Sequence, residues 1–197
     1  GVAPRTVVIP VGTDASVFSG CEPVGRGRIG VHCLYSGHMG RLHDWETLAG
    51  ALGGGLPAGV RCEIGSDGPG ANALKTALAG VAARSPERLR FAGTRDNGTW
   101  REVMLATDVA LVTMRPGAEK VVMPSKTYSA MAAGQAILAV APRESDLADL
   151  VAAHDCGWVI EPGDVAGLRA VLDSLASRGA EVLAKRRNAW RAARECY

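Results

Sequence analysis

The sequence predicts a doubly wound α/β domain, a parallel sheet of about six strands with helices on both faces. Three observations lead to it. Short, nearly continuous apolar runs recur along the chain, as expected of strands buried on both faces. Stretches with apolar residues at helical spacing lie between them. Aromatic residues make up only 5% of the chain against 47% hydrophobic residues, so the core must be built from Val, Leu, Ile and Ala, a composition suited to close α/β layers.

The first run, "VHCLYSG" (31–37), ends in glycine and precedes "HDWETLAGALGG" (43–54). There Trp45, Leu48, Ala49 and Leu52 form one helical stripe that glycines close. In "VRCEIGSDGPG" (60–70) a second strand breaks at Gly65, and Pro69 starts a helix carrying Ala71, Leu74, Leu78 and Val81. "LRFAG" (89–93) is the third strand and "WREVMLA" (100–106) a short helix. "DVALVTM" (108–114), "AILAVAP" (136–142) and "CGWVIEPG" (156–163) make the remaining strands, with helices after the last two. Asp164 caps the final one of these, which aligns Val165, Leu168, Leu172 and Leu175.

A formal net charge of +2 argues against nucleic acid as a partner, which needs a strongly basic face. The five cysteines (Cys21, Cys33, Cys62, Cys156, Cys196) are odd in number and never spaced as C-x-x-C. They suggest neither a disulfide framework nor a zinc site, and point to a reducing cytoplasm. No apolar run reaches the ~18 residues of a membrane span. The chain opens on Gly1 with no signal-peptide pattern, so an excised piece of a longer protein is expected.

Ligands on doubly wound sheets bind beyond the carboxyl ends of the strands, and glycines gather there: Gly37, Gly40, Gly65, Gly68, Gly70, Gly93 and Gly117. The chain holds 25 glycines in 197 residues, nearly twice the average of roughly 7%. In "YSGHMGRLHDWETL" (35–48), Gly37 and Gly40 would free backbone N–H groups, Arg41 could neutralise a phosphate, and His38 and His43 add donors. A glycine-rich turn with solvated side chains is the plainer alternative. In "PSKTYSAMAAG" (124–134), Pro124 and Ser125 start a helix with Ser125 as its cap, Tyr128, Met131 and Ala132 face the core, and Gly134 ends it. Lys126 in the first turn opposes the helix dipole. A cation there makes sense if a phosphate binds beside it; a stray surface lysine is the alternative. Glu119 in "RPGAEK" would by itself be read as a solvated charge. "GRGRIG" (25–30) matches G-x-G-x-x-G but precedes a strand instead of following one, so it reads as a linker.

Together these motifs resemble the C-terminal, donor-binding half of GT-B-fold glycosyltransferases, specifically glycosyltransferase family 4. The order is "VVIPVGTD" (7–14), "LYSGHMGRLHDWETL", "SDGPG", "FAGT", "DVALVT", "VMPSKTYSAMAAG", "CGWVIEPGD", and the similarity covers nearly the whole chain. The first and fifth of the later motifs look most like a bacterial subgroup that makes surface polysaccharides. The resemblance implies one Rossmann-like half of the two-domain fold. It also implies a retaining sugar transfer from a nucleoside-diphosphate sugar, UDP being the expected nucleotide, without a metal; the absence of an Asp-x-Asp pair agrees. It assigns the donor diphosphate to Gly37, His38, Gly40, Arg41, Ser125, Lys126 and Thr127. The nucleoside falls to Gly65, Ala92, Gly93, Thr94 and Ser129, and the transferred sugar to Glu119 as the catalytic carboxylate. Ser129 departs from the pattern, because many members carry a ribose-gripping glutamate there. His38 and His43 likewise stand where many carry an arginine and a lysine.

The expected organisation is an entry segment over 1–20 from an N-terminal domain outside this chain, a donor-binding domain over 21–180, and a C-terminal helix over 181–197. That N-terminal domain would bind the acceptor, so this chain alone should bind donor nucleotide weakly and transfer nothing. The basic tail Lys185, Arg186, Arg187, Arg191 and Arg194, with Trp190, could approach an anionic inner membrane face carrying a lipid-linked acceptor; a solvated helix, or one returning to the other domain, is the alternative. The rival function is a non-catalytic nucleotide-binding regulatory domain on the same fold, which Ser129 favours and Arg41, Lys126 and Glu119 disfavour. A dehydrogenase fails on the position of its glycine motif, and a serine hydrolase on the lack of G-x-S-x-G.

Overall fold

The computed structural model describes residues 13–18, 22–25 and 30–197. Most of "VVIPVGTD" and "GRGRIG", and Cys21, lie outside the described residues. Six strands form one wholly parallel sheet: β1 (Val31–Ser36), β2 (Val60–Gly65), β3 (Leu89–Ala92), β4 (Val109–Thr113), β5 (Ala136–Val140) and β6 (Gly157–Ile160). Their spatial order is β3-β2-β1-β4-β5-β6, with Cys33 opposite Cys62 on one side of β1 and Val109 on the other. The order reverses between β1 and β4, which makes that junction the switch point of a doubly wound sheet.

Alternation along the strands sorts the core into two layers. Cys33 and Tyr35 of β1 point to one face, where they pack with Leu48, Leu52, Leu74 and Leu168. These come from α1 (Glu46–Gly53), α2 (Pro69–Ala77) and α7 (Val165–Leu175). Leu34 points to the other face and packs with Met104, Met131, Leu147 and Ala189. These belong to α4 (Asn97–Ala106), α5 (Lys126–Ala132), α6 (Asp146–Ala153) and α8 (Gly179–Glu195). Every residue of β4 and β5 is buried, which is why those strands read as unbroken apolar runs.

Some boundaries differ from the sequence expectation. The helix begun by Pro69 is two: α2 ends at Ala77, the backbone of the next residue, Leu78, leaves helical geometry (φ −103°, ψ 7°), and α3 (Ala79–Arg84) restarts after it. The fourth helix begins earlier than expected because the Asp96 carboxylate accepts from the N–H groups of Gly98 and Thr99, a side-chain cap. Asp164 caps α7 as expected, accepting from Gly167. Ser125 precedes α5 but makes no side-chain cap bond. The first turn there is wound tightly instead: the Thr127 N–H donates to the Pro124 carbonyl and the Tyr128 N–H to that of Ser125.

Candidate functional site

A cleft of about 470 Å³ opens at the β1–β4 switch point, lined among others by Ser36, Gly37, His38, Trp100, Lys126 and Ser129. Two loops build its floor. The Gly37 N–H donates to Gly65 O at 3.0 Å, and the Met39 N–H to Asp67 O at 2.9 Å. The Ser66 hydroxyl donates back to Gly37 O at 2.6 Å. The β1–α1 loop is thereby laced to the β2–α2 loop. The approach is so close that a Cβ on Gly68, which has φ +98°, would lie 2.8 Å from Met39 O. Gly37 also has φ +98°, a left-handed turn open to glycine that swings the chain beneath Lys126.

Lys126 dominates the electrostatics. Its ammonium donates to Tyr35 Oη at 2.7 Å and to His38 O at 3.0 Å, and sits 4.1 Å from the centroid of the Tyr35 ring. Burial brings the Lys126 pKa down to about 7, the Asp67 carboxylate working against that shift. Burial, and then the charge of Lys126, bring His43 down to about 4. His43 is therefore a neutral imidazole near neutral pH, and its Nδ1 accepts from the Gly40 N–H at 3.0 Å. His38 Nδ1 lies 2.7 Å from Asp67 Oδ1 on the exposed rim.

The cleft lining thus joins Gly37, His38, Ser125, Lys126 and Ser129 out of the expected residues. Other expected residues fall elsewhere. The Gly40 N–H is used by His43, and Arg41 is exposed and lines a separate hollow of about 270 Å³ with Trp45 and Arg115. Thr127 is fully buried, its hydroxyl without a partner. Glu119 lies on a 3-10 turn (Ala118–Lys120) after β4, outside the cleft lining, with Oε2 buried and unpartnered. Gly65 ends β2 and is overlaid by the Arg95 guanidinium, which pairs with Glu63. Ala92 accepts from the Ser66 N–H, while Gly93 and Thr94 are exposed outside the lining.

Three participants escaped sequence reasoning. Tyr35 reads as one more apolar residue of a strand. Trp100 reads as the start of an amphipathic helix, yet it lines the cleft and its indole N–H donates to Ser36 Oγ at 3.1 Å. Thr13 reaches Ser129 from far upstream, the two hydroxyl oxygens 3.2 Å apart. Among the described residues no group of three or more His, Cys, Asp or Glu is arranged to hold a metal ion, and no helix is long and apolar enough to cross a membrane.

Comparison with known proteins bears on this geometry. No protein-family model matches the chain. The probable glycosyltransferase WbjE of Pseudomonas aeruginosa is 30% identical over 144 residues, covering 72% of this chain and 34% of WbjE. The chain thus spans about a third of the length of the curated relative it matches. Anabaena HepE in complex with UDP-glucose superposes with a TM-score of 0.68 at 16% identity, over 92% of this chain and 50% of HepE. The C-terminal domain of the glycosyl transferase group 1 family protein LpcC from Francisella tularensis gives 0.69 at 15% identity, over 94% of this chain and 98% of that domain. The chain therefore has the fold of one Rossmann-like half of a GT-B protein, matching an isolated C-terminal domain over nearly its full length.

Proposed function

We propose that this chain is the donor-binding half of a retaining glycosyltransferase that uses a UDP-sugar in bacterial polysaccharide or glycan synthesis. The observation that carries the reading is Lys126, a half-buried lysine whose ammonium is held at the switch-point cleft where this fold takes its ligands. Identity with WbjE and the likeness to HepE, which binds UDP-glucose, support the transferase class and the nucleotide.

In this reading the diphosphate lies against Lys126, beside Gly37, His38 and Ser125. The nucleoside extends toward Ser129, and Glu119 meets the sugar once the N-terminal domain is in place. Transfer breaks the bond between the anomeric carbon and the β-phosphate oxygen. The electron pair leaves on UDP, whose growing charge Lys126 stabilises without a metal. The acceptor and the rest of the machinery belong to an N-terminal domain that precedes the 1–20 segment, so the 197-residue chain binds donor and transfers nothing. Its setting is the cytoplasm, at the inner face of a membrane carrying the acceptor. The regulatory-domain reading draws on Ser129, whose hydroxyl meets Thr13 and is too short to clamp a ribose alone.

Calorimetry with UDP, GDP and uridine, with and without EDTA, tests the proposal. UDP should bind equally well in EDTA. Lys126→Ala should weaken UDP by roughly ten- to a hundred-fold, the scale of a lost charge-assisted hydrogen bond of about 1.5–3 kcal/mol, while uridine binding barely changes. Absence of UDP binding, or equal weakening of UDP and uridine, would overturn it.

A further inference from the structure

We propose that Tyr35 is a positioning residue for the donor diphosphate: its hydroxyl and ring hold Lys126 so that one directed N–H is left to point into the cleft. The inference rests on the donor-binding reading above and extends it to a residue on the opposite core layer. Tyr35 is fully buried on the α1–α2 side of the sheet, whereas Lys126 comes from α5 on the other side. They meet over the carboxyl ends of the strands, so the contact fixes Lys126 relative to the sheet.

Hydrogen-bond capacity makes the case. A lysine ammonium has three donors and no acceptor. Two are spent on Tyr35 Oη and His38 O at 2.7 and 3.0 Å. The Tyr35 ring lies 4.1 Å from the ammonium and closes one flank with its electron-rich face. The third proton is the one an anion would meet. It is also the one most easily lost, because the other charged and titratable groups around Lys126 give uneven support. Asp67 favours the cation but is paired with His38 on the exposed rim. His43 is neutral, and burial raises the Tyr35 phenol above its ordinary value, so it stays protonated. An arriving diphosphate supplies the missing partner for the third proton. Binding near and above neutrality therefore takes up a proton from solvent onto Lys126 Nζ. Without the Tyr35 hydroxyl the charged form loses an acceptor, and the proton is held less well.

The experiment uses Tyr35→Phe, which keeps the ring and removes the hydroxyl. The chain has four lysines, so the ε-carbon of Lys126 can be followed by NMR in ligand-free protein, assigned from the signal missing in Lys126→Arg. The wild type should titrate near pH 7 and Tyr35→Phe at a lower pH. At pH 7.5 UDP affinity should fall roughly ten-fold in Tyr35→Phe, with uridine affinity and melting temperature nearly unchanged. Wild-type UDP affinity should decline above pH 7. Phosphate ionisation, with its pKa of about 6, pushes the other way and cannot mimic this decline. Lys126→Arg, charged at every pH, should abolish the decline while leaving Tyr35 in place. It therefore tests, however Tyr35→Phe folds, whether the decline comes from the Lys126 proton. An unchanged Lys126 titration in Tyr35→Phe, or equal loss of UDP and uridine, overturns the positioning role. Failure of the wild type to bind UDP overturns the donor reading instead, and the NMR titration still decides whether Tyr35 holds Lys126.

Discussion

Lys126 and His43 face the same cleft, and burial drives both toward neutrality, but to different extents. Lys126 at about 7 is balanced between forms, whereas His43 at about 4 is neutral. For His43 the linkage has a definite sign. In the unfolded chain its pKa is near 6.5, so between about pH 4 and 6.5 the unfolded state binds more protons and stability rises with pH. The stabilisation is complete above 6.5 and lost as pH falls through 4. Denaturant melts across that window should show wild-type stability rising with pH and a shallower rise in His43→Gln, whose amide oxygen can still accept from the Gly40 N–H. Identical slopes would mean that His43 titrates normally in the fold. Such behaviour was not legible in the sequence, because "YSGHMGRLH" offers both histidines and Arg41 as equivalent donors. Only the folded loop shows that His43 turns inward as an acceptor, that His38 pairs with Asp67, and that Arg41 faces a different hollow.

At the scale of elements, local pattern served the strands well and the basic tail poorly. β4 and β5, buried on both faces, are continuously apolar, and although β2 carries Arg61 and Glu63 and β3 carries Arg90, the apolar residues around them left all six strands legible. The break at Leu78 was not, since the residues on either side continue the same helical spacing without a proline. The tail was read from charge alone, yet Lys185 pairs with Asp155 at 2.8 Å. Arg186 is 5% exposed, lies 3.4 Å from the buried Asp108 carboxylate, and donates to Gly134 O at 2.9 Å. Asp108 also accepts from the His32 N–H. Four basic residues of α8, Lys185, Arg186, Arg187 and Arg194, thus anchor that helix or the segment before β1, leaving exposed Arg191 as the one without such a bond among those described; Arg194 also lies over the Trp190 ring. Partners so distant in sequence leave no local signature. Arg186→Ala removes the guanidinium beside the buried Asp108 carboxylate and should cost about 3–5 kcal/mol, against a change within roughly 0.5 kcal/mol for Arg191→Ala. Urea titrations of the two variants distinguish them, and equal midpoints would show that the Asp108–Arg186 pair is not a structural anchor.

Across the whole molecule, the described part of the segment before β1 is strapped over α4, α5 and α8 by arginines that grip its backbone. Arg101 donates to Val17 O at 2.6 Å, Arg194 to Phe18 O at 3.2 Å, Arg187 to Pro23 O at 3.3 Å and Arg186 to Val24 O at 3.4 Å. Phe18 is 1% exposed and packs on Trp100 with ring centroids 5.5 Å apart. Trp100 in turn lines the cleft and donates to Ser36 at the end of β1. The same segment brings Thr13 to Ser129. A segment expected only to connect two domains therefore packs behind two residues of the cleft lining, Trp100 and Ser129. Phe18→Ala removes the ring that backs Trp100 and should cost about 3–5 kcal/mol, the range for a buried phenylalanine. Where the variant remains folded, it should also weaken UDP binding several-fold, because the indole loses the surface that orients it toward Ser36. Val17→Ser, at a position 39% exposed in the same segment, should change stability by no more than roughly 0.5 kcal/mol and leave UDP binding intact. Denaturant midpoints paired with UDP calorimetry below the melting range separate the two effects. A Phe18→Ala protein that is destabilised but binds UDP like the wild type would show that the strap supports the fold without shaping the cleft.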